Sequence, residues 1–344
     1  MSKYDALLIV SFGGPEAPDD VIPFLENVLR GRNVPPERMV EVAKHYEQFG
    51  GVSPINEQNR ALMHELKILF AEKGPHIPIY WGNRNWHPML DETIKKMAED
   101  GVRNALAFVT SAYSSYSGCR QYRENIEAAR EKVGPNAPFI DKLRIFFNHP
   151  GFVEANVDRL RVALNQLTDE HRKKSKLVFT AHSIPTSMAA GCGYESQLRE
   201  SGKLIAETVG HTDWELVFQS RSGPATQPWL VPDICDYIEE LSAQGYEDVI
   251  VQPIGFVSDH LEVKFDLDKQ AMELAESKGV RMLRAGTAGT HPAFINMIRE
   301  LVLEKTNGDQ PKAEGEFGLV PEQCSKSCCP QPTRPTQAAP ERRA

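Results

Sequence analysis

At 344 residues the chain exceeds one ordinary core, and 41% hydrophobic with 25% charged residues reads as globular protein of about two domains. A formal net charge of −8 and a sequence pI of about 5.8 argue against a general nucleic-acid binder. An anionic ligand must then be held by local donors: backbone N–H groups, hydroxyls or single basic side chains.

The first apolar run, Ala6-Leu7-Leu8-Ile9-Val10, is too short for a signal segment, and no small-residue cleavage site follows it. No stretch approaches the roughly 18 apolar residues of a membrane span. A cytoplasmic protein is expected, with six cysteines that serve as thiols or metal ligands rather than disulfides.

Strands are expected at 5–11, 78–83, 105–112, 143–147, 176–181, 214–220, 248–255 and 281–285. Helical patterns lie between them at 56–71, 91–100, 122–132, 152–167, 194–208, 231–243 and 265–278. This alternation predicts an α/β fold with parallel sheets covered on both faces. The punctuation also repeats. Ile9–Pro15 corresponds to Phe179–Pro185, and Trp81-Gly82-Asn83-Arg84 to Gln219-Ser220-Arg221-Ser222. Two similar doubly wound, Rossmann-like domains are therefore expected, at 1–150 and 151–305, facing each other across a cleft. After residue 305 a Pro-rich tail, 306–344, loses all periodicity.

In doubly wound sheets ligands bind beyond the carboxyl ends of strands, so the residues that follow each strand carry the chemistry. His182 closes one strand inside Thr180-Ala181-His182-Ser183-Ile184-Pro185. By position alone it serves equally as a loop-bonding histidine or as a site residue. Downstream, Glu262 and Asp266 are four apart on a predicted helix and share a face. A solvated acidic face explains such carboxylates in general. Here Phe256, Val257 and Leu261 put Glu262 beside an apolar pocket, where a carboxylate and an imidazole can share a metal or a proton.

These segments, with Ser11-Phe12-Gly13-Gly14-Pro15, Gly50-Gly51-Val52-Ser53-Pro54-Ile55-Asn56, Gly82-Asn83-Arg84-Asn85-Trp86 and Ser114-Ser115-Tyr116-Ser117-Gly118, resemble the ferrochelatase family in the expected order over residues 5 to 303. The nearest resemblance is to the bacterial branch acting on coproporphyrin, including forms with an iron–sulfur cluster. The resemblance implies a lyase of haem biosynthesis that takes Fe2+ and coproporphyrin III as substrates, and a downstream haem-pathway enzyme as partner. It implies that His182 and Glu262 are the iron-binding and proton-handling pair, with Asp266 extending the carboxylate path. It also implies that Ser53 and Tyr122 contact the porphyrin. Phe12 replaces a tyrosine of some relatives, so its role reduces to packing the ring, and Gln270 stands where some relatives have another acid.

Cys324, Cys328 and Cys329 form C-x3-C-C-P in the tail, and Cys192 lies in Gly191-Cys192-Gly193. Three tail thiols and one internal thiol suit a four-thiolate site. The resemblance implies a [2Fe–2S] cluster on these four; zinc accepts the same ligands. Cys119 and Cys235 read as structural. Rival functions are a protoporphyrin IX ferrochelatase, a cobalt or nickel chelatase of the same fold, and a haem or porphyrin carrier without chemistry. A carrier has no need of a proton acceptor opposite an acidic path.

Overall fold

Short β-branched and apolar runs form two parallel sheets, because side chains buried on both faces leave no room for alternating polar positions. A computed structural model describes residues 3–31, 36–223, 226–321, 324–325 and 327–332. The first sheet comprises β1 (Ala6–Ser11), β2 (Ile79–Asn83), β3 (Asn104–Val109) and β4 (Phe139–Lys142) in the order β2-β1-β3-β4. The second comprises β5 (Lys176–His182), β6 (Trp214–Gln219), β7 (Asp248–Gln252) and β8 (Arg281–Arg284) in the equivalent order β6-β5-β7-β8. The repeated punctuation thus corresponds to a repeated topology, and the two α/β sheets agree with the expected fold class.

Helices α1 (Val21–Leu29), α2 (Pro36–Glu47), α3 (Ile55–Lys73), α4 (Leu90–Glu99) and α5 (Gln121–Val133) accompany the first sheet. The second carries α6 (Pro150–Leu164), α7 (Asp169–Lys174), α8 (Thr186–Ala189), α9 (Tyr194–Val209), α10 (Ile234–Ala243), α11 (Met272–Ser277) and α12 (Pro292–Thr306). None of the described helices is long and apolar enough to cross a membrane.

One apolar cluster joins the two sheets at the back of the molecule. It contains Phe108, Tyr113, Phe146, Phe147, Phe152, Phe179 and Phe294, all buried. Phe108 and Phe146 stack with centroids 5.1 Å apart, and α12 packs on both α6 and α3. Each such ring contributes about 1.5–3 kcal/mol on burial, so this side behaves as one solid block.

Helices α1, α7, α8 and α12 are additions to the expected pattern, and three further elements differ from it. β4 occupies 139–142 rather than 143–147, because Arg144 turns out of the ladder into a buried ion pair with Glu304, 2.8 Å away. The helix α2 lies outside the expected segments, although Met39, Ala43 and Tyr46 at helical spacing pack one face of it into the cluster around Leu261. Between the loop after β7 and α11 the chain forms a π-helix, Val263–Ala271, where an α-helix was expected. The Met272 N–H reaches the Leu267 carbonyl five residues back.

After Thr306 the described residues form no helix or strand, yet they are fastened. Glu314 N–H donates to the Asn148 carbonyl (2.9 Å), and Asn148 Nδ2 donates to the Glu314 (3.0 Å) and Gly318 (2.8 Å) carbonyls. Phe317 packs edge-on against Phe147. The stretch with Pro335 and Pro340 lies outside the described residues.

Candidate active site

His182 is the last residue of β5, paired in register with Gln219 of β6, so both reach the carboxyl edge of the sheet together. The His182 Nδ1 lies in a short hydrogen bond against the Ser183 carbonyl. A carbonyl only accepts, so in the neutral ring Nδ1 carries the proton and Nε2 presents its lone pair. Tyr194 Oη donates to the His182 carbonyl (3.0 Å) and holds the strand end.

Facing that lone pair, Glu262 Oε1 lies 3.8 Å from His182 Nε2. The pair predicted from sequence is brought together. The Glu262 N–H donates to His260 Nδ1 (3.1 Å), and Oε2 lies 4.0 Å from the same nitrogen. Burial pushes the His260 imidazole below its usual range. Its ring meets Phe256 edge-on at 4.6 Å.

Behind Glu262, Asp266 sits on the π-helix. It accepts a short hydrogen bond from Ser220 Oγ and a longer one, 3.4 Å, from Gln219 Nε2. Burial, reinforced by the nearby Glu262 charge, pushes its carboxyl up to about 6. Ser220 holds φ at +61°, a left-handed conformation that L side chains adopt at a cost of about 1–3 kcal/mol and that recurs at functional sites. The fully buried Gln219 also donates to the Glu262 carbonyl (3.4 Å) and accepts from Thr180 Oγ1 (2.9 Å). It thereby ties β5, β6 and the π-helix together.

The first half of the chain supplies the opposite wall. Leu261 is buried among Val21, Phe24, Leu25, Ala43 and Tyr46, with Phe12 and Trp86 packed against them. Tyr46 lies close enough to Glu262 for that charge, added to burial, to raise its phenol pKa. His45 of α2 stacks on Phe265 of the π-helix at 3.9 Å. Ser53 is buried against the Gly13-Gly14 turn: a Cβ on Gly14 would lie 2.7 Å from the Ser53 Cβ, so only glycine fits. Phe12 and the buried Tyr122 both contact the Arg84 guanidinium, whose carbon lies 5.7 Å and 4.5 Å from the two ring centroids. Among the described residues Arg84 has no carboxylate partner, and its buried Nε has no hydrogen bond. The motif Gly82-Asn83-Arg84-Asn85-Trp86 by itself gives Arg84 no role. Its place directly after β2 is the signal that would have found it.

The thiols gather elsewhere. A cavity of about 270 Å3 is lined by Cys119, Cys324, Cys328 and Cys329, together with Arg120, Arg123 and Lys142. Cys119 hydrogen-bonds Cys324, which holds the Cys324 thiol below the usual range. Cys328 and Cys329 place their sulfurs 3.6 Å apart. Cys119 sits in a second π-turn, Tyr116–Arg120, and Arg120 Nη1 donates to the Cys328 carbonyl (3.5 Å). Cys192 is close by, but its thiol is turned to the Met188 (3.2 Å) and Ala189 (3.6 Å) carbonyls and does not line the cavity. Among the described residues no three His, Cys, Asp or Glu side chains converge to hold a single ion. Cys235 lies apart on α10, half-buried.

Residues 4–306 match a family model described as ferrochelatase. A curated protein named ferrochelatase from Rhodopirellula baltica is 54% identical over 331 residues, covering 96% of this chain and 94% of the relative. One from Streptomyces coelicolor, named coproporphyrin III ferrochelatase, is 50% identical, covering 96% of this chain and 94% of its own. Among solved structures, the sirohydrochlorin chelatase SirB from Bacillus subtilis subspecies spizizenii with cobalt superposes with a TM-score of 0.53 at 10% identity, covering 89% of this chain and 96% of that one. At that identity the likeness concerns the fold alone.

Proposed function

The chain belongs to the ferrochelatase family, and from that premise we propose that it inserts ferrous iron into coproporphyrin III, with His182 and Glu262 carrying the reaction. The observation that carries this reading is the 3.8 Å approach of a free imidazole nitrogen to a carboxylate, backed by Asp266.

Metal insertion requires the loss of two pyrrole protons while the ion enters from the ring face. His182 Nε2, with its partner nitrogen committed to a carbonyl, is poised to accept a proton. Glu262 offers charge to the departing proton or the arriving cation, and Asp266 extends that path away from the ring. A flat macrocycle hides its nitrogen lone pairs, so the site must bend it; binding energy at the ring periphery offsets that strain. The solid aromatic block behind the two sheets gives the walls the stiffness to do so. We read the enzyme as cytoplasmic, a compartment that keeps cysteines reduced and available as metal ligands.

Asp266 sets a pH dependence. Its carboxyl is neutral below about 6 and charged above, and only the charged form attracts Fe2+. With iron limiting, kcat/KM should rise as pH passes upward through about 6 and then level off. Asp266→Asn should flatten that limb; an unchanged limb in the variant would remove Asp266 from the path.

Coproporphyrin carries four propionates where protoporphyrin carries two and two vinyl groups. Ser53 and Tyr122 offer hydroxyls, and Arg84 a guanidinium without a carboxylate partner among the described residues. An open, donor-lined wall loses only a few contacts with protoporphyrin, whereas a vinyl-shaped wall strands buried carboxylates. Steady-state rates under identical iron and detergent should favour coproporphyrin by about tenfold or more in kcat/KM. Equal or better efficiency with protoporphyrin would overturn the substrate choice and leave the chelatase assignment standing.

We also propose that the thiol cavity holds a [2Fe–2S] cluster. A tetrahedral metal with thiolate bonds of about 2.3 Å sets two ligands roughly 3.8 Å apart, close to the Cys328–Cys329 separation of 3.6 Å. Two irons take their ligands in pairs, so a site for one ion is not required. Cys328 with Cys329, and Cys119 with Cys324, would hold it, in place of the set with Cys192 expected from sequence. When bound, such a cluster cross-links the tail to the first sheet.

A further inference from the structure

The thiol cavity is a basic spot on an acidic chain, whose formal net charge is −8. Arg120, Arg123 and Lys142 line it beside the cysteines, and so do Glu127 and Asp141. Both of those carboxylates are committed elsewhere. Glu127 pairs with Arg130 (2.9 Å), while Asp141 accepts from Tyr4 Oη (2.7 Å) and lies 3.8 Å from Lys305 Nζ. Arg120 in turn pairs with Glu124 at 2.8 Å. Among the described residues Arg123 and Lys142 have no carboxylate partner, so the cavity keeps a local excess of positive charge. Such a cavity favours an anionic occupant.

Lys142 also reaches sulfur. It ends β4, in register with Ala107 of β3, and its Nζ donates to the Leu143 carbonyl (3.0 Å). The same ammonium hydrogen-bonds Cys119. The bond to Cys324 and burial raise the Cys119 thiol above its usual range, and Lys142 acts against both. At Cys324 the ammonium adds to the Cys119 hydrogen bond in favouring the thiolate. Its charge thus bears on both thiols of one proposed ligand pair.

A [2Fe–2S] centre on four thiolates is anionic when oxidised, and the electron that turns one ferric ion ferrous makes it more so. A cation beside a ligand sulfur therefore stabilises the reduced state more than the oxidised one, which raises the reduction potential. A metal that only braces the tail undergoes no such change of charge.

We propose that Lys142 sets the reduction potential of the cluster: its ammonium, held against the Cys119 sulfur and without a carboxylate partner, stabilises the reduced state. This rests on the reading of the thiol cavity as a [2Fe–2S] site. The centre is thereby readied to take up an electron as well as to brace the tail.

The test is an anaerobic potentiometric titration of the full chain with dithionite, followed by visible absorbance and by electron spin resonance of the reduced cluster. At the parent's midpoint, Lys142→Met should lower the ratio of reduced to oxidised cluster about tenfold, a shift of about 59 mV to more negative potential. Its iron content should not change. Lys142→Arg keeps the charge and should stay within about threefold of the parent ratio. A ratio in Lys142→Met within about twofold of the parent overturns the proposal. An equal fall in Lys142→Arg overturns it too, because the effect would then be one of packing. Should Lys142→Met lose its iron, Lys142→Gln must keep it and show the same fall. Loss of iron from both makes Lys142 an assembly residue and overturns the proposal equally. Parent protein that is colourless and binds zinc sinks the cluster reading itself, whereas an unshifted potential in coloured Lys142→Met leaves that reading standing.

Discussion

His182→Ala is expected to abolish metal insertion while porphyrin still binds. The imidazole closes β5 with its Nδ1 satisfied by Ser183, and the strand end is held independently by Tyr194, so removing the ring leaves the local fold in place. Only the free Nε2 is lost. A positioned base contributes about 10²–10⁴-fold to such a step, and the loss should fall on kcat rather than on porphyrin affinity. Glu262→Gln keeps the side-chain shape and removes the charge opposite Nε2, so turnover should fall by about 100-fold or more. Fluorescence titration with porphyrin and anaerobic turnover with ferrous iron separate the two readouts. Near-normal kcat in both variants would discard the pair. A carrier without chemistry predicts instead no turnover in the parent chain either, with porphyrin binding unchanged throughout.

The pair was legible because its signal is local. His182 and the 256–262 segment each follow an apolar β run, and parallel strands deliver their carboxyl ends to one edge, so two motifs 80 residues apart had to meet. Phe12 and Ser53 stand just after a strand and a glycine pair, whereas Tyr122 is the second residue of α5 and only the family resemblance pointed to it. What escaped was set by distant contacts. The sequence of 263–271 carries an ordinary helical pattern; the side chains that meet it are Arg284 of β8, His45 of α2 and Gln48 just after α2, none of which is near in sequence. The expected strand at 143–147 is apolar enough to pair, but Arg144 finds Glu304 160 residues away, and that buried ion pair takes the chain out of the sheet. Local pattern gave no hint of either.

The thiol set proposed above rests on such distant contacts too. Cys119 and Cys192 are both single internal cysteines beside glycine, and nothing in their neighbourhoods ranks one over the other. Docking of the tail is what favours Cys119 in the proposed set. It runs from Arg144 and Asn148 past Phe147 to the π-turn that carries Cys119, and Arg120 takes the Cys328 carbonyl. Cys329 holds φ at +49°, a left-handed residue that lets adjacent cysteines turn both sulfurs into the cavity. Protein purified without oxygen should therefore be reddish and contain about two irons per chain when fully loaded. Cys119→Ser should lose that colour and iron as completely as Cys324→Ser, because each supplies half of one pair. Cys192→Ser should keep both, since its thiol already bonds the carbonyls that end α8. Visible absorbance and metal analysis read this directly, whatever happens to turnover. Loss of the centre in Cys192→Ser with retention in Cys119→Ser would return the internal ligand to the loop after His182. A colourless protein with one zinc would replace the cluster by a structural metal on the same thiols.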